Sequence, residues 1–412
     1  MNIDQIIERA EEALRDAFAR IEQNEMLRTR QVLDSFRKFG VSYRHFAPTT
    51  GYGYDDIGRD TLEKIYADLF HTEAALMRPH IASGTAALSL TLSGLTRPGE
   101  RILSATGMPY DTLMGILGVG PAEHPGSLRE YGVAFDCVPL KDGRIDLEAV
   151  EAAIRPETTL VIAQRSRGYA WRPSLMPEAF APLARMIHDR HPGVQLMVDN
   201  CYGEFVRPQE PTDFGADVCV GSLIKNPGGG IAPTGGYIAG TAEVVDRIAY
   251  RLTAPGLGRE IGSYAGDYRP FYQGLFMAPH TVAQALKTAL LASRVFEDLG
   301  LETSPGSGEE RADIIQAIKM GTPERLVAFC QGLQTASPVD SMALPEPWDM
   351  PGYEDQVVMA AGTFVAGASI ELSADGPMRE PYTAYMQGGL TYVHGRIAIS
   401  EALKRMEAFL TI

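Results

Sequence analysis

The chain has 412 residues, 45% apolar and 22% charged, the make-up of a folded enzyme-sized protein and more residues than one core usually supports. Its formal charge is 37 − 52 = −15 with no block of Lys and Arg, which argues against a nucleic acid or an anionic membrane as partner. Four cysteines without CxxC spacing or a His cluster give neither a disulfide framework nor a zinc site, and no uncharged run is long enough to span a bilayer. The expectation is a cytoplasmic chain without a bound metal.

Ile3, Ile6, Ile7, Ala10, Ala13, Leu14, Ala17, Phe18 and Ile21 recur at three- and four-residue steps and predict a helix from near Asp4. A second helical stretch, "LRTRQVLDSFRKFG", ends at Gly40, so residues 1–50 read as a helical arm that packs on something else. In "GYGYDDIGRDTLEKIYADLF" a Gly- and Tyr-rich loop precedes Asp60, whose spacing to Glu63 suits a capping box. From there, "ERILSA", "GVAFDCVPL", "TTLVIAQ", "VQLMVDN", "ADVCVGSL" and "TGGYIAG" read as strands, with "GTAALSLTLSGL", "LEAVEAAI" and "MPEAFAPLARMIHDR" as helices between them. Buried strands alternating with helices predict an α/β domain over 51–280 with a mostly parallel sheet. After it, 281–412 reads as a connecting helix, "TVAQALKTALLASRVFEDLG", and a smaller α+β domain with strands "VVMAAGTFV" and "SIELSAD" and a last helix, "VHGRIAISEALKRMEAFL".

Asp199 ends the apolar run "VQLMVDN", and Lys225 follows the next strand in "GSLIKNPGGG". Both belong to the carboxyl-end edge of the sheet, where open α/β sheets bind ligands. Lys225 precedes its glycines, so no phosphate loop of the G-x-x-x-x-G-K-[ST] type runs through it. An amine in an apolar pocket loses charge and becomes a nucleophile toward a carbonyl, and a cofactor aldehyde such as pyridoxal 5'-phosphate needs a lysine, an acid for its ring nitrogen and a phosphate cradle. The cradle candidate is Ser83, Gly84 and Thr85 at the start of a helix, with Ser222 three residues before Lys225, and Tyr110 could stack on a flat ring. Capping, packing and surface positions also account for each of these residues singly.

Together "SGTAAL", "MPYDTL", "VDNCYGEF" and "GSLIKNPGGG" resemble the fold-type I PLP-dependent enzymes of the Cys/Met metabolism (cystathionine lyase) superfamily. The blocks "GYGYDDIGRDTLE", "QRSRGY", "WRPS" and "QGGLTY" resemble its methionine gamma-lyase-like branch, also called aluminium resistance proteins. The resemblance implies a transferase-like α/β fold with a seven-stranded-type sheet and a cytoplasmic homodimer or homotetramer sharing its active sites. It implies a Schiff base on Lys225, Asp199 at the pyridinium nitrogen, Tyr110 on the ring and in proton transfer, and Ser83, Gly84, Thr85 and Ser222 around the phosphate. Tyr54 would reach the neighbour's phosphate and substrate, and Arg379 or Arg165, with Arg167 beside it, would hold the substrate carboxylate.

Asp56 stands where the wider superfamily has an arginine, which leaves the phosphate to Arg59 or another cation, while Ala86 and Pro233 replace a usual histidine and lysine. The implied reaction is β- or γ-elimination at a C–S bond, giving thiol, ammonia and 2-oxo acid. The same parts suit γ-replacement or elimination on another activated amino acid, or aminotransfer, and a non-catalytic PLP-fold protein of metal tolerance is the rival outside enzymes. Scattered acids offer no oxygen-rich loop for aluminium itself.

Overall fold

The computed structural model describes residues 2–120, 124–350, 353 and 355–410. Helices α1 (Ile3–Ala13) and α2 (Arg15–Lys38) follow the expected stripe, with Asn2 capping α1 and a break at Leu14. Ile6, Ile7, Ala10 and Leu14 are buried against the C-terminal part of the same chain.

Helix α3 (Ile57–Leu69) begins four residues earlier than a cap at Asp60 predicts. Its cap is Asp56, which accepts from the Arg59 amide at 3.0 Å and from the Tyr268 hydroxyl at 2.9 Å. Glu63 faces inward instead and pairs with Arg78 at 2.5 Å, so the expected capping box is corrected.

The strands are β1 (Ala74–Arg78), β2 (Arg101–Ser104), β3 (Ala134–Cys137), β4 (Thr158–Gln164), β5 (Gln195–Asp199), β6 (Val218–Ser222) and β7 (Gly236–Gly240). They form one seven-stranded sheet in the order β1-β7-β6-β5-β4-β2-β3. Only β7 runs against its neighbours, so the other six all end at one edge. Between them lie α4 (Gly84–Leu95), α5 (Asp111–Leu117), α6 (Leu147–Ala153) and α7 (Ala181–Arg190), and α8 (Ala242–Leu252) follows β7. Leu196, Met197 and Val198 at the centre of β5 are at most 1% exposed, and each such side chain contributes about 1.5–3 kcal/mol by leaving water.

Helix α9 (Arg269–Asp298) starts well before the expected connecting segment and carries Pro270 in its first turn and Pro279 inside. Its first half, with Phe271, Tyr272 and Leu275, lies in the core of the large sheet. The second half, with Leu291, Val295 and Phe296, belongs to the core of the smaller unit.

That unit has a five-stranded sheet in the order β10-β11-β12-β9-β8, all neighbours antiparallel: β8 (Thr303–Ser304), β9 (Gln316–Lys319), β10 (Val357–Ala360), β11 (Ser373–Pro377) and β12 (Thr383–Gln387). Helices α10 (Pro323–Thr335) and α11 (Tyr392–Met406) cover one face through Leu326, Phe329, Ile399 and Leu403. The strand expected at "SIELSAD" lies later, since only its last three residues fall in β11. The four cysteines are free, and Cys137 is only partly buried.

Candidate functional site

Six strands ending at one edge bring five loops together. The start of α4 follows β1, Tyr110 follows β2, Arg165 to Tyr169 follow β4, Asp199 to Tyr202 close β5, and Ser222 to Lys225 close β6. The sequence-based expectation of one crevice for Asp199 and Lys225 therefore rests on strand direction.

Lys225 caps a short 3-10 turn, Asn226–Gly228, after β6. Its Nζ lies 4.0 Å from the centre of the Tyr202 ring. Burial pulls the amine's pKa down, but Cys201, Tyr202, Asp199 and Tyr110 outweigh that effect, so the ammonium form is favoured strongly. This corrects the expectation that desolvation alone makes Lys225 a free amine.

Burial raises the Asp199 carboxyl, and Lys225 and the Cys201 amide, bound at 3.1 Å, pull it partly back. Tyr110 caps α5, and its hydroxyl lies 3.4 Å from Thr85 Oγ1. Burial and the Asp199 charge push the phenol up, so Tyr110 stays neutral.

Ser83 caps α4 and accepts from the Ala86 amide at 3.0 Å. A Cβ on Gly84 would stand 3.1 Å from Ser222 Cβ and 3.6 Å from Cys201 Sγ, so helix start, strand end and turn converge there. Ser222 is 1% exposed and its hydroxyl has no partner. An orphaned buried hydroxyl beside a helix N-terminus is what a bound phosphate would satisfy. The residues present thus fit pyridoxal phosphate: Lys225 for the aldehyde, Asp199 for the ring nitrogen, and Ser83, Gly84, Thr85 and Ser222 for the phosphate.

The glycines after Lys225 have another task. Gly229 has φ +56°, and a Cβ there would come 2.4 Å from the Gly274 carbonyl of α9. They let the lysine turn pack backbone-to-backbone on α9.

Arg59 does not provide a phosphate cation within its own chain. It is 1% exposed and donates to the Gly53 carbonyl at 2.9 Å and to Asp60 at 2.8 Å, which braces the loop carrying Tyr52 and Tyr54. Tyr54 is 59% exposed and stacks on Tyr52 at 5.6 Å, away from its own chain's core.

Arg165 is fully buried, with Nη1 2.7 Å from Asn200 and 3.3 Å from Glu210, which also receives Arg28 at 2.5 Å. Nη1 of Arg165 is thus engaged by structural partners, while its buried Nη2 has none. Arg379 is more than half exposed and pairs with Asp355 at 2.8 Å. Arg167, two residues after Arg165, is 2% exposed with Nε and Nη1 unpartnered, and faces Asp313 and Tyr385.

Sequence reasoning missed the wall opposite Lys225: Tyr169, Tyr202 and Tyr385 in one apolar cluster, with Tyr353 and Asp375 beside them. "SIELSAD" reaches an acid at Asp375 as the apolar run of "VQLMVDN" stops at Asp199, which is the signal that could have found Asp375. Among the described residues no His, Cys, Asp and Glu cluster could hold a metal, and no helix is long and apolar enough to cross a membrane.

The family model for methionine gamma-lyase matches residues 3–407. The chain is 52% identical to the uncharacterized protein YnbB of Bacillus subtilis over 90% of this chain and 89% of that one. It is 30% identical to L-methionine gamma-lyase of Pseudomonas putida over 48% of this chain and 45% of that one. Among solved structures, a carbon-sulfur lyase involved in aluminum resistance from Clostridium novyi superposes with a TM-score of 0.94 at 47% identity, covering 98% of this chain and 96% of that one.

Proposed function

The chain belongs to the methionine gamma-lyase family, and on that premise we propose that it is a pyridoxal-phosphate-dependent lyase that breaks a C–S bond in a sulfur amino acid. The observation that carries this reading is the meeting of an amine, a strand-end carboxylate and an orphaned hydroxyl at a helix start, in Lys225, Asp199 and Ser222. The name of the Clostridium novyi neighbour supports the same bond.

When bound, the cofactor supplies an electron sink for a carbanion at the substrate α-carbon. Asp199, ionised, would hold the protonated ring nitrogen. Once that charge is engaged, less negative charge faces Lys225, whose Nζ can then take the α-proton. Tyr110 keeps its proton and can give it to the departing sulfur. The C–S bond breaks with its electron pair on sulfur, sulfur takes a proton and leaves as thiol, and water converts the released unsaturated amine to 2-oxo acid and ammonia.

Arg167 is the favoured holder of the substrate carboxylate, because its two unpartnered nitrogens are buried, whereas Arg379 already has Asp355. A Cβ on Gly168 would stand 3.9 Å from that of Tyr110, so the Arg167 loop borders the ring position. The exposed Tyr52–Tyr54 pair supports an assembly in which Tyr54 serves a neighbour's site. The test is a screen of thioether amino acids on the cofactor-loaded protein, with thiol, ammonia and 2-oxo acid assayed together. A cofactor left in its amine form, without ammonia, would favour aminotransfer instead.

A further inference from the structure

We propose that the cleft between α2, α9 and the segments 206–208 and 307–311 is a second ligand site, separate from the chamber before Lys225, and that it takes a small carboxylate carrying an apolar chain. The proposal does not rest on the lyase reading.

The cleft has a volume of about 450 Å³, the size of a small-molecule site. Its apolar lining is Ile21 and Leu27 of α2, Val206, and Leu286 and Leu290 of α9. Leu286 belongs to the core of the large sheet and Leu290 to that of the smaller unit, so the cleft lies over the seam between them, where ligand sites concentrate. Its walls are tied together by the protein itself. Asn24 Nδ2 donates to the Phe205 carbonyl at 3.0 Å and to that of Val206 at 3.2 Å, and Arg28, one turn on, donates to the Pro208 carbonyl at 3.2 Å. A cleft held in this way is formed before its ligand arrives, which lowers the cost of binding.

The charged groups that border it are Arg20, Arg207 and Arg311 against Glu309 and Glu310. Arg20 lies on the same stripe of α2 as Ile21, Asn24 and Leu27, and among the described residues it has no ion-pair partner. Arg207 stands 3.5 Å from Glu310, whose side chain is mostly in solvent, and Glu309 accepts from the Gly306 amide at 2.8 Å. Arg311 is 7% exposed, and its Nε and Nη1 have no partner. Burial pulls its guanidinium down to about 10 against the opposing pull of Asp313, which marks a cation short of compensating charge. Surplus positive charge beside an apolar lining is the complement of a carboxylate on a hydrocarbon chain and the wrong sign for an amine.

Three head groups on one chain test this: octanoate, octylammonium and octan-1-ol, each titrated by calorimetry into the protein with and without its cofactor. Octanoate is expected to bind the cofactor-loaded protein about tenfold or more tightly than the other two. That preference should fall to about one when Arg20→Gln and Arg207→Gln are combined, at an exposed and a partly buried position where the fold is kept, as thermal unfolding will show. Ala17→Phe, at a partly buried position of the lining, narrows the cleft and should weaken octanoate about tenfold. Equal affinity for the three heads overturns the proposal, because apolar burial alone would then account for binding, and so does an absence of octanoate binding. Octanoate that neither variant weakens, or that binds only when the cofactor is absent, is seated elsewhere and overturns it too.

Discussion

The Lys225 amine rests 4.0 Å above the ring of Tyr202, a residue whose own backbone is left-handed at φ +73°. The turn that ends β5 thus presents an aromatic face to the residue that ends the following turn. A ring in this position favours the ammonium form by about 0.5–2 kcal/mol. Tyr202→Leu should make the Lys225 amine titrate at lower pH, as seen by NMR of the labelled lysine in cofactor-free protein. A titration unchanged from the parent would count against the contact.

Glu204 is fully buried, accepts from the Tyr237 hydroxyl at 2.8 Å, and has its carboxyl pushed up to about 8 by burial. A carboxyl raised on folding binds its proton more tightly in the folded chain. Its contribution to stability is complete below the ordinary Glu range and is lost as pH rises through about 8. Denaturant unfolding across this range should therefore show Glu204→Gln gaining on the parent with rising pH, by on the order of 2 kcal/mol. Parallel pH curves for the two proteins would refute the assignment.

Arg165 and Arg379 should respond in opposite ways to the same change. Arg165→Ala leaves Glu210 and Asn200 in the interior with a lost partner and should cost about 3–5 kcal/mol. Arg379→Ala removes a half-exposed pair worth about 0–1 kcal/mol. Thermal unfolding of the two variants side by side decides the matter, and similar midpoints would be the wrong outcome.

Gly229→Ala forces a Cβ to within 2.4 Å of the Gly274 carbonyl at a left-handed φ of +56°. The turn must shift, and Lys225 with it. A loss of about 1–3 kcal/mol in stability together with weakened cofactor binding is expected. Parent-like cofactor affinity would mean that the turn and the lysine are uncoupled.

The parallel strands β4, β5 and β6 were legible because each is a continuous apolar run bounded by polar loops, and Asp199 and Lys225 stand where those runs stop. Strand β1, "AALMR", was not legible, since Ala, Leu and Met favour helices and only its pairing with β7 makes it a strand. Asp56 and Asp60 both suit a cap by type. The choice was made by the Tyr268 hydroxyl, which comes from more than two hundred residues away. Gly229 packs on Gly274 of α9, a partner too distant along the chain for the glycine run to reveal. Arg165 and Arg167 look alike in "QRSRGY", and Glu210 and Asn200 separate them by drawing Arg165 into the interior. Asp375 and the tyrosines come from four separate stretches of chain, a gathering that no spacing could reveal.

The proposed elimination at a C–S bond, with Lys225 taking the α-proton, can be checked by giving cofactor-loaded protein a thioether amino acid and measuring thiol, ammonia and 2-oxo acid in one reaction, beside Lys225→Ala. Equal amounts of the three products are expected from the parent, and turnover at least about a thousandfold lower from the variant. Undiminished turnover by Lys225→Ala, or 2-oxo acid formed without thiol and ammonia, would contradict it.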